Sequence, residues 1–161
     1  MPKHRRNNAN VGDTYVSNFI HDHLSTAQNI QRKYGIPAGV VLAQSALESN
    51  WGRTVSGNAY FGIKGRSPNG KSTTFSTHET VNGVSVATTG TFRAYSSFAE
   101  AADDYAAMLK HNARFRSAFL HVDSIGFATE IARNHYATDP QYGSKLISII
   151  QSRKLDQYDV R

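Results

Sequence analysis

Apolar residues recur at helical spacing through Val16, Phe19, Ile20, Leu24, Ala27 and Ile30. This predicts an amphipathic helix from Asp13, its expected cap, to about Tyr34. Gly35 ends it, and Pro37 suits the first turn of a second helix. The second helix, from Val40 towards Gly52, is apolar around most of its circumference. Val40, Ala43 and Leu47 fall on one side, with Leu42 and Ala46 on the adjacent side. A helix with so little polar surface is normally buried. Gln44, Ser45 and Glu48 interrupt it along one narrow stripe. Such a stripe must meet hydrogen-bonding partners or a water-filled cleft, because unpaired buried polar groups are costly. Gly52 is the expected stop.

From Arg53 to Gly70 the periodicity disappears. Gly57, Gly62, Gly65 and Gly70 mark loops around the apolar-aromatic knot Ala59-Tyr60-Phe61-Gly62-Ile63. Residues 71–95 are rich in Thr and Val, and Asn82-Gly83 between Val81 and Val84 predicts a hairpin. Ser97 and Glu100 are spaced as a capping box for a helix whose apolar face is Phe98, Ala101, Ala102, Tyr105, Met108 and Leu109. Shorter helices are expected over Arg114–Phe119, from Ser124 to about Tyr136, and from about Gln141 to Arg153, with Asp139-Pro140 as an interruption. The predicted fold class is α+β. One mostly helical domain spans 13–161, carries a small antiparallel β lobe at about 71–95, and follows a polar, basic arm over 1–12.

A chain of 161 residues is long enough for one domain with a real core. It has no cysteine, which excludes disulfides and thiolate metal sites. His21 and His23 diverge on their helix, and His78 and Glu79 point to opposite faces of a strand, so neither metal nor cofactor is expected. The net charge of +6 suits an anionic partner, either nucleic acid or the acidic polymers of a bacterial envelope. Nucleic acid would rest on charge alone. No segment is long and apolar enough for membrane insertion. Lys3-His4-Arg5-Arg6 leads into Asn and Gly, not an apolar run, so a chain made in the cytoplasm without a secretory signal is expected. Phosphate-binding Gly-Lys-Ser/Thr, Gly-x-Ser-x-Gly and His-Glu-x-x-His motifs are missing.

Glu48 is the leading candidate for chemistry. A carboxyl beside Trp51, half out of water, has a raised pKa and can stay protonated to donate to a glycosidic oxygen. The plain alternative is a helix-end carboxylate. Glu79, on a Thr-rich strand near the turn, reads alone as a solvated carboxylate. The two together make the pair of carboxyls that glycoside hydrolysis requires. Trp51, Tyr60 and Phe61 are either core aromatics or a stacking floor for sugar rings, and the glycines around them favour exposure. Tyr136 and Tyr142 bracket one loop, which alone indicates packing.

Tyr34-Gly35-Ile36-Pro37, followed by Val41-Leu42-Ala43-Gln44-Ser45-Ala46-Leu47-Glu48-Ser49-Asn50-Trp51-Gly52, closely resembles the signature of glycoside hydrolase family 73. These are β-N-acetylglucosaminidases of bacterial peptidoglycan, including the flagellar rod-associated hydrolase and many autolysins. Three further blocks match in order: Asn58-Ala59-Tyr60-Phe61-Gly62-Ile63-Lys64-Gly65, Phe92-Arg93-Ala94-Tyr95-Ser96-Ser97, and Tyr136-Ala137-Thr138-Asp139-Pro140-Gln141-Tyr142. The resemblance covers about residues 15–153. It implies a lysozyme-like fold with its cleft between helical body and β lobe. It implies Glu48 as general acid, Glu79 as second acidic residue and Tyr136 as a supporting tyrosine; Gln44, Trp51, Tyr60, Phe61 and Tyr142 are the candidate substrate-binding residues. Whether Glu79 activates water, or the substrate's own N-acetyl group attacks, stays open. Asn50 in place of a usual glycine, and Ala59-Tyr60 in place of Asn-Leu, are departures that bear on the sugar subsites.

The implied activity is that of an endo-β-N-acetylglucosaminidase cutting between N-acetylglucosamine and N-acetylmuramic acid in peptidoglycan strands. Without wall-binding repeats or a signal, the chain is similar to stand-alone type VI secretion effectors. It is expected to act as a bacteriolytic toxin in a rival's periplasm, with a cognate immunity protein plugging the cleft. A phage-type endolysin or an autolysin would share the chemistry. A non-catalytic glycan-binding module would not need both Glu48 and Glu79.

Overall fold

A computed structural model describes residues 11–160 of the chain. The expected basic arm lies outside the described residues up to position 10. The first helix, α1, spans Val11–Tyr34 and so already includes 11 and 12, and Asp13 lies within it instead of capping it. Gly35 turns the chain at φ +86°. Pro37 occupies the cap position of α2, Ala38–Ser49.

Helix α2 is the axis of the body. Every residue from Ala38 to Ala46 is buried, with Val40, Val41, Leu42 and Ala43 wholly so. Such a helix has no solvent face for its small polar side chains, and two of them bond back to the helix itself. The Ser45 hydroxyl donates to Val41 O at 2.7 Å, and that of Ser49 to Ser45 O at 2.6 Å. The helix stops three residues earlier than Gly52. Asn50 and Trp51 both adopt left-handed backbone, at φ 50° and 59°, and the Asn50 N–H caps Ala46 O. Asparagine is the non-glycine residue best suited to that conformation.

The β lobe is one antiparallel hairpin, β1 Ser72–Val81 and β2 Val84–Arg93, with Val81 facing Val84 and Glu79 facing Val86. Along β1, Thr73, Phe75, Thr77 and Glu79 are partly covered, while the residues between them are exposed. Period-two alternation therefore puts Glu79 on the inward face. Phe75 stacks on Phe92 with centroids 4.3 Å apart, over Gly90, where a Cβ would come 2.6 Å from the Phe92 ring. The loop before β1 runs along β2, with Arg93 N–H donating to Ile63 O at 2.7 Å and Gly65 N–H to Thr91 O at 3.0 Å.

Helix α3, Phe98–His111, starts on Ser97, whose hydroxyl accepts the Glu100 N–H at 3.1 Å. The Glu100 side chain turns to Asn69. The short helix expected over Arg114–Phe119 is a 3₁₀ segment, Ala113–Leu120. Helix α4 is Ser124–Arg133, three residues shorter than its periodicity suggested, and α5 is Tyr142–Ser152. A final 3₁₀ turn, Leu155–Tyr158, closes against α2.

The C-terminal stretch locks the body by hydrogen bonds. Asp159 accepts from Gly39 N–H at 2.8 Å and from the Ser124 hydroxyl at 2.7 Å. The Gln31 amide pairs with both backbone groups of Val160 at 2.8 Å and also accepts from Ala38 N–H. The approach at Gly39 leaves no room for a side chain, since a Cβ would lie 2.9 Å from Leu155 O. Gly39→Ala is therefore expected to lower unfolding free energy by about 1–3 kcal/mol in urea titration, the usual cost of overpacking. An unchanged midpoint would contradict this packing.

Candidate active site

The polar stripe of α2 divides by depth. Gln44, one turn before Glu48, is fully buried. Its oxygen accepts from the Tyr105 hydroxyl, and its amide donates to the Tyr142 hydroxyl at 2.9 Å. The Tyr142 hydroxyl in turn hydrogen-bonds to Glu48. With its lone pair taken by Gln44, Tyr142 is left to direct its proton at the Glu48 carboxyl. A substrate-binding Gln44 does not fit this geometry: the residue has no exposed surface and acts through Tyr142.

Glu48 itself reaches the floor of a cleft of about 510 Å³, also lined by Glu79, Tyr136 and Tyr142. Its carboxyl lies against the backbone of Gly62, where a Cβ would sit 2.8 Å from Oε2. Gly62 is thus required for space as well as for its φ of +62°. Burial pushes the Glu48 pKa up from the ordinary 4.5 to about 7. The Tyr142 hydroxyl opposes that rise, and the Glu79 charge adds to it.

Glu79 has the opposite environment. Lys64 Nζ stands 2.6 Å from Oε1, and the Thr138 hydroxyl donates to Oε2 at 2.9 Å. Thr138 also accepts the Thr80 N–H at 3.1 Å, which pins the hairpin to the loop before α5. Lys64 first, then Thr138, hold the Glu79 pKa below its ordinary value. One cleft therefore carries a carboxyl biased towards its protonated form and a carboxylate biased towards its charged form. Environments that separate two pKa values in this way define an acid and a charged partner.

Tyr136 lines the cleft, but its hydroxyl proton is committed to Phe61 O at 2.8 Å. Burial raises its pKa well above 10, so it does not ionise near neutrality. Its ring stacks on Tyr142 at 5.7 Å. The expected stacking floor does not form. Phe61 is 1% exposed and stacks on Tyr105 at 4.0 Å. Tyr60 and Trp51 pack edge-on against Phe98 and Phe19, respectively, and neither lines the cleft. Helix α1 brings Phe19 and His23 over this cluster, which no local pattern announces. Residues not singled out beforehand complete the cleft: Lys64, Thr138, Arg114, His135 and Lys145. Lys64 and Thr138 lay within the blocks already noted, but their partner Glu79 is distant in sequence.

A helical body with a facing hairpin and a two-carboxyl cleft defines a lysozyme-like α+β domain. The family described as mannosyl-glycoprotein endo-beta-N-acetylglucosaminidase matches residues 24–155, and the chain belongs to this glucosaminidase family, glycoside hydrolase family 73. The chain is 36% identical over 152 residues to peptidoglycan hydrolase FlgJ of Pseudomonas aeruginosa, covering 87% of this chain but only 37% of the relative's length. In structure it is similar to a peptidoglycan hydrolase mutant from Sphingomonas sp. A1, with TM-score 0.77 and 31% identity over 87% of this chain and 96% of that one. The catalytic domain of the autolysin Auto from Listeria monocytogenes is similar at TM-score 0.76 and 30% identity, over 99% and 98% of the two chains. A type VI effector–immunity complex from Pseudomonas protegens shares the fold alone, at 16% identity and TM-score 0.59, over 91% of this chain and 96% of that one.

Two outcomes follow from the Glu48 environment. Gln44→Met and Tyr142→Phe each remove support for the Glu48 carboxylate, so each is expected to raise its pKa above about 7 in carboxyl-carbon NMR titration. A fall in either variant would contradict the hydrogen-bond chain. A folded-state pKa raised from 4.5 to about 7 contributes stability that is complete below pH 4.5 and lost as pH rises through 7. Glu48→Gln is therefore expected to gain in melting temperature over the native chain at pH 8 relative to pH 4. An equal difference at both pH values would show that burial does not strain the carboxylate.

Proposed function

We propose that this chain is a peptidoglycan endo-β-N-acetylglucosaminidase, cleaving the β-1,4 bond from N-acetylglucosamine to N-acetylmuramic acid. The observation that carries the reading is the raised Glu48 pKa, about 7, in a cleft shared with a charge-stabilised Glu79. Membership of the glucosaminidase family supports the substrate class. Protonated Glu48 donates to the O4 of the leaving muramic acid as the C1–O bond breaks.

Glu79 is a poor proton acceptor as it stands, because both of its oxygens are engaged and its pKa is depressed. A general base works best with a pKa near the operating pH. We infer that the substrate's acetamido oxygen forms the new bond to C1, and that the Glu79 carboxylate stabilises the positive charge developing there. Water then opens the cyclic intermediate at C1, and Glu48, now a carboxylate, takes the water's proton. The product keeps the β configuration. Tyr136 serves this cleft through Phe61 O, fixing the turn that carries Gly62 against Glu48.

Delivery as a toxin into a rival's periplasm would use this same cleft. Its two carboxyls offer anchors for a basic side chain of an immunity protein, since charge-assisted bonds are the stronger kind. Expression with a periplasmic signal, with and without the product of the adjacent gene, tests that extension. Lysis unaffected by the neighbour would contradict it.

Digestion of purified peptidoglycan with mass spectrometry of the products tests the activity. New reducing ends on N-acetylglucosamine are expected, and ends on N-acetylmuramic acid would contradict it. Glu48→Gln is expected to lose about 10²–10⁴-fold in turnover, the usual share of general acid catalysis, and Glu79→Gln to lose less. NMR of the fresh product should show the β anomer. Inversion, with equal losses in both variants, would make Glu79 the base.

A further inference from the structure

The 3₁₀ segment beside the cleft carries charge that the hydrolytic chemistry does not use. Arg114 lines the cleft. In a 3₁₀ turn residues three apart lie on one side, so Ala113 and Arg116 face together, a third of a turn from Arg114. These two line a separate concavity of about 150 Å³ with Lys110, His111, Asn112 and Phe119. From Tyr105 to Val122 the chain has no acidic residue.

The other cations of the cleft are already matched, Lys64 by Glu79 and Lys145 by Asp139, each at 2.6 Å. Among the described residues no carboxylate stands within ion-pair distance of Lys110, Arg114 or Arg116. Aromatic faces hold two of them. Lys110 Nζ lies 4.6 Å from the Phe119 centroid, and the Arg114 guanidinium 4.9 Å from that of Phe115. The Asn112 side chain accepts the Arg114 N–H at 3.1 Å and fixes the start of the segment. Two of the three cationic groups are thus placed on aromatic rings, and among the described residues none of the three has a carboxylate partner.

We propose that Arg114 at the wall of the cleft, with Lys110 and Arg116 in the concavity on the next side of the same segment, binds the carboxylates of the peptide stem carried by the muramic acid. The proposal rests on the peptidoglycan reading above. A neutral amino-sugar polymer would give these three residues nothing to bind, whereas a stem places carboxylates beside every second sugar. Stems leave the glycan chain sideways, which suits a basic site off the wall of the cleft better than one along its floor.

The test separates this claim from the activity. In the Glu48→Gln background, which leaves the glycan uncut, binding is read by co-sedimentation with insoluble wall. One arm uses intact stems. A second uses the same glycan stripped of its stems by an amidase, which leaves only the lactyl carboxylate, and coupled to beads because strands without stems are no longer cross-linked and do not sediment. A third uses insoluble chitin, which has no carboxylate. Lys110→Gln/Arg114→Gln/Arg116→Gln is expected to weaken binding to the stem-bearing wall by about tenfold, the combined scale of a few exposed charge pairs. Binding to chitin should not change. A loss on the stripped glycan as large as on the intact wall would assign the site to the lactyl carboxylate and overturn the stem. Arg32→Gln/Lys71→Gln/Lys154→Gln removes equal charge elsewhere and should leave binding intact; an equal loss there would mean net charge alone. Equal, salt-sensitive binding to duplex DNA would likewise overturn the proposal. A native chain that digests no wall, while stem-selective binding persists, would refute the hydrolase reading and leave this one standing.

Discussion

The cleft depends on the cost of placing a charge on the last turn of a helix whose body is buried. Helix α2 is buried from Ala38 to Ala46, and Glu48 extends from its last turn against the backbone of Gly62. An ionised carboxylate there loses hydration, so the neutral acid is favoured until about pH 7. The tyrosine and glutamine behind it keep the effect within useful bounds. Tyr105, Gln44 and Tyr142 pass a single direction of hydrogen bonding to Glu48, which satisfies three buried polar side chains at once.

The hairpin supplies what the helical body lacks. Its inward face ends in Glu79, fixed by Lys64 from the preceding loop and Thr138 from the loop before α5. Three separate stretches thus meet at one carboxylate. The Thr80–Thr138 bond ties the hairpin tip to the same loop that carries Tyr136. Tyr136 holds Phe61, and Phe61 precedes the glycine on which the Glu48 carboxyl rests. The lobe is therefore joined to both carboxyls through a short series of contacts.

The α+β architecture and the hairpin were legible because period 3.6, period 2 and Asn82-Gly83 are local signals. Glu48 stood out as a carboxylate interrupting an apolar helix. Gln44 stands out for the same reason, and of the two settings open to such a stripe it takes hydrogen-bonding partners, Tyr105 and Tyr142, and not the cleft, since periodicity reports a face and not a depth. Glycine-rich surroundings leave Trp51, Tyr60 and Phe61 readable either as core or as a sugar floor; α1 returns from elsewhere in the sequence to pack on Trp51 and Tyr60, and α3 supplies the Tyr105 ring on which Phe61 stacks. Lys64 and Thr138 carried no signal of their own, for their significance lies in a contact with Glu79 across the fold. The stop at Asn50 was hidden by Gly52, the residue with the stronger general preference for that role.

The central claim is that Glu48 is the group whose protonation permits cleavage. The most direct measurement is the pH dependence of kcat/KM on a soluble glycan fragment, set beside an NMR titration of the Glu48 carboxyl in the free protein. The account predicts that the alkaline limb and the Glu48 titration coincide near pH 7, and that both move upward together in Tyr142→Phe. A limb that stays in place while the Glu48 titration moves would contradict it.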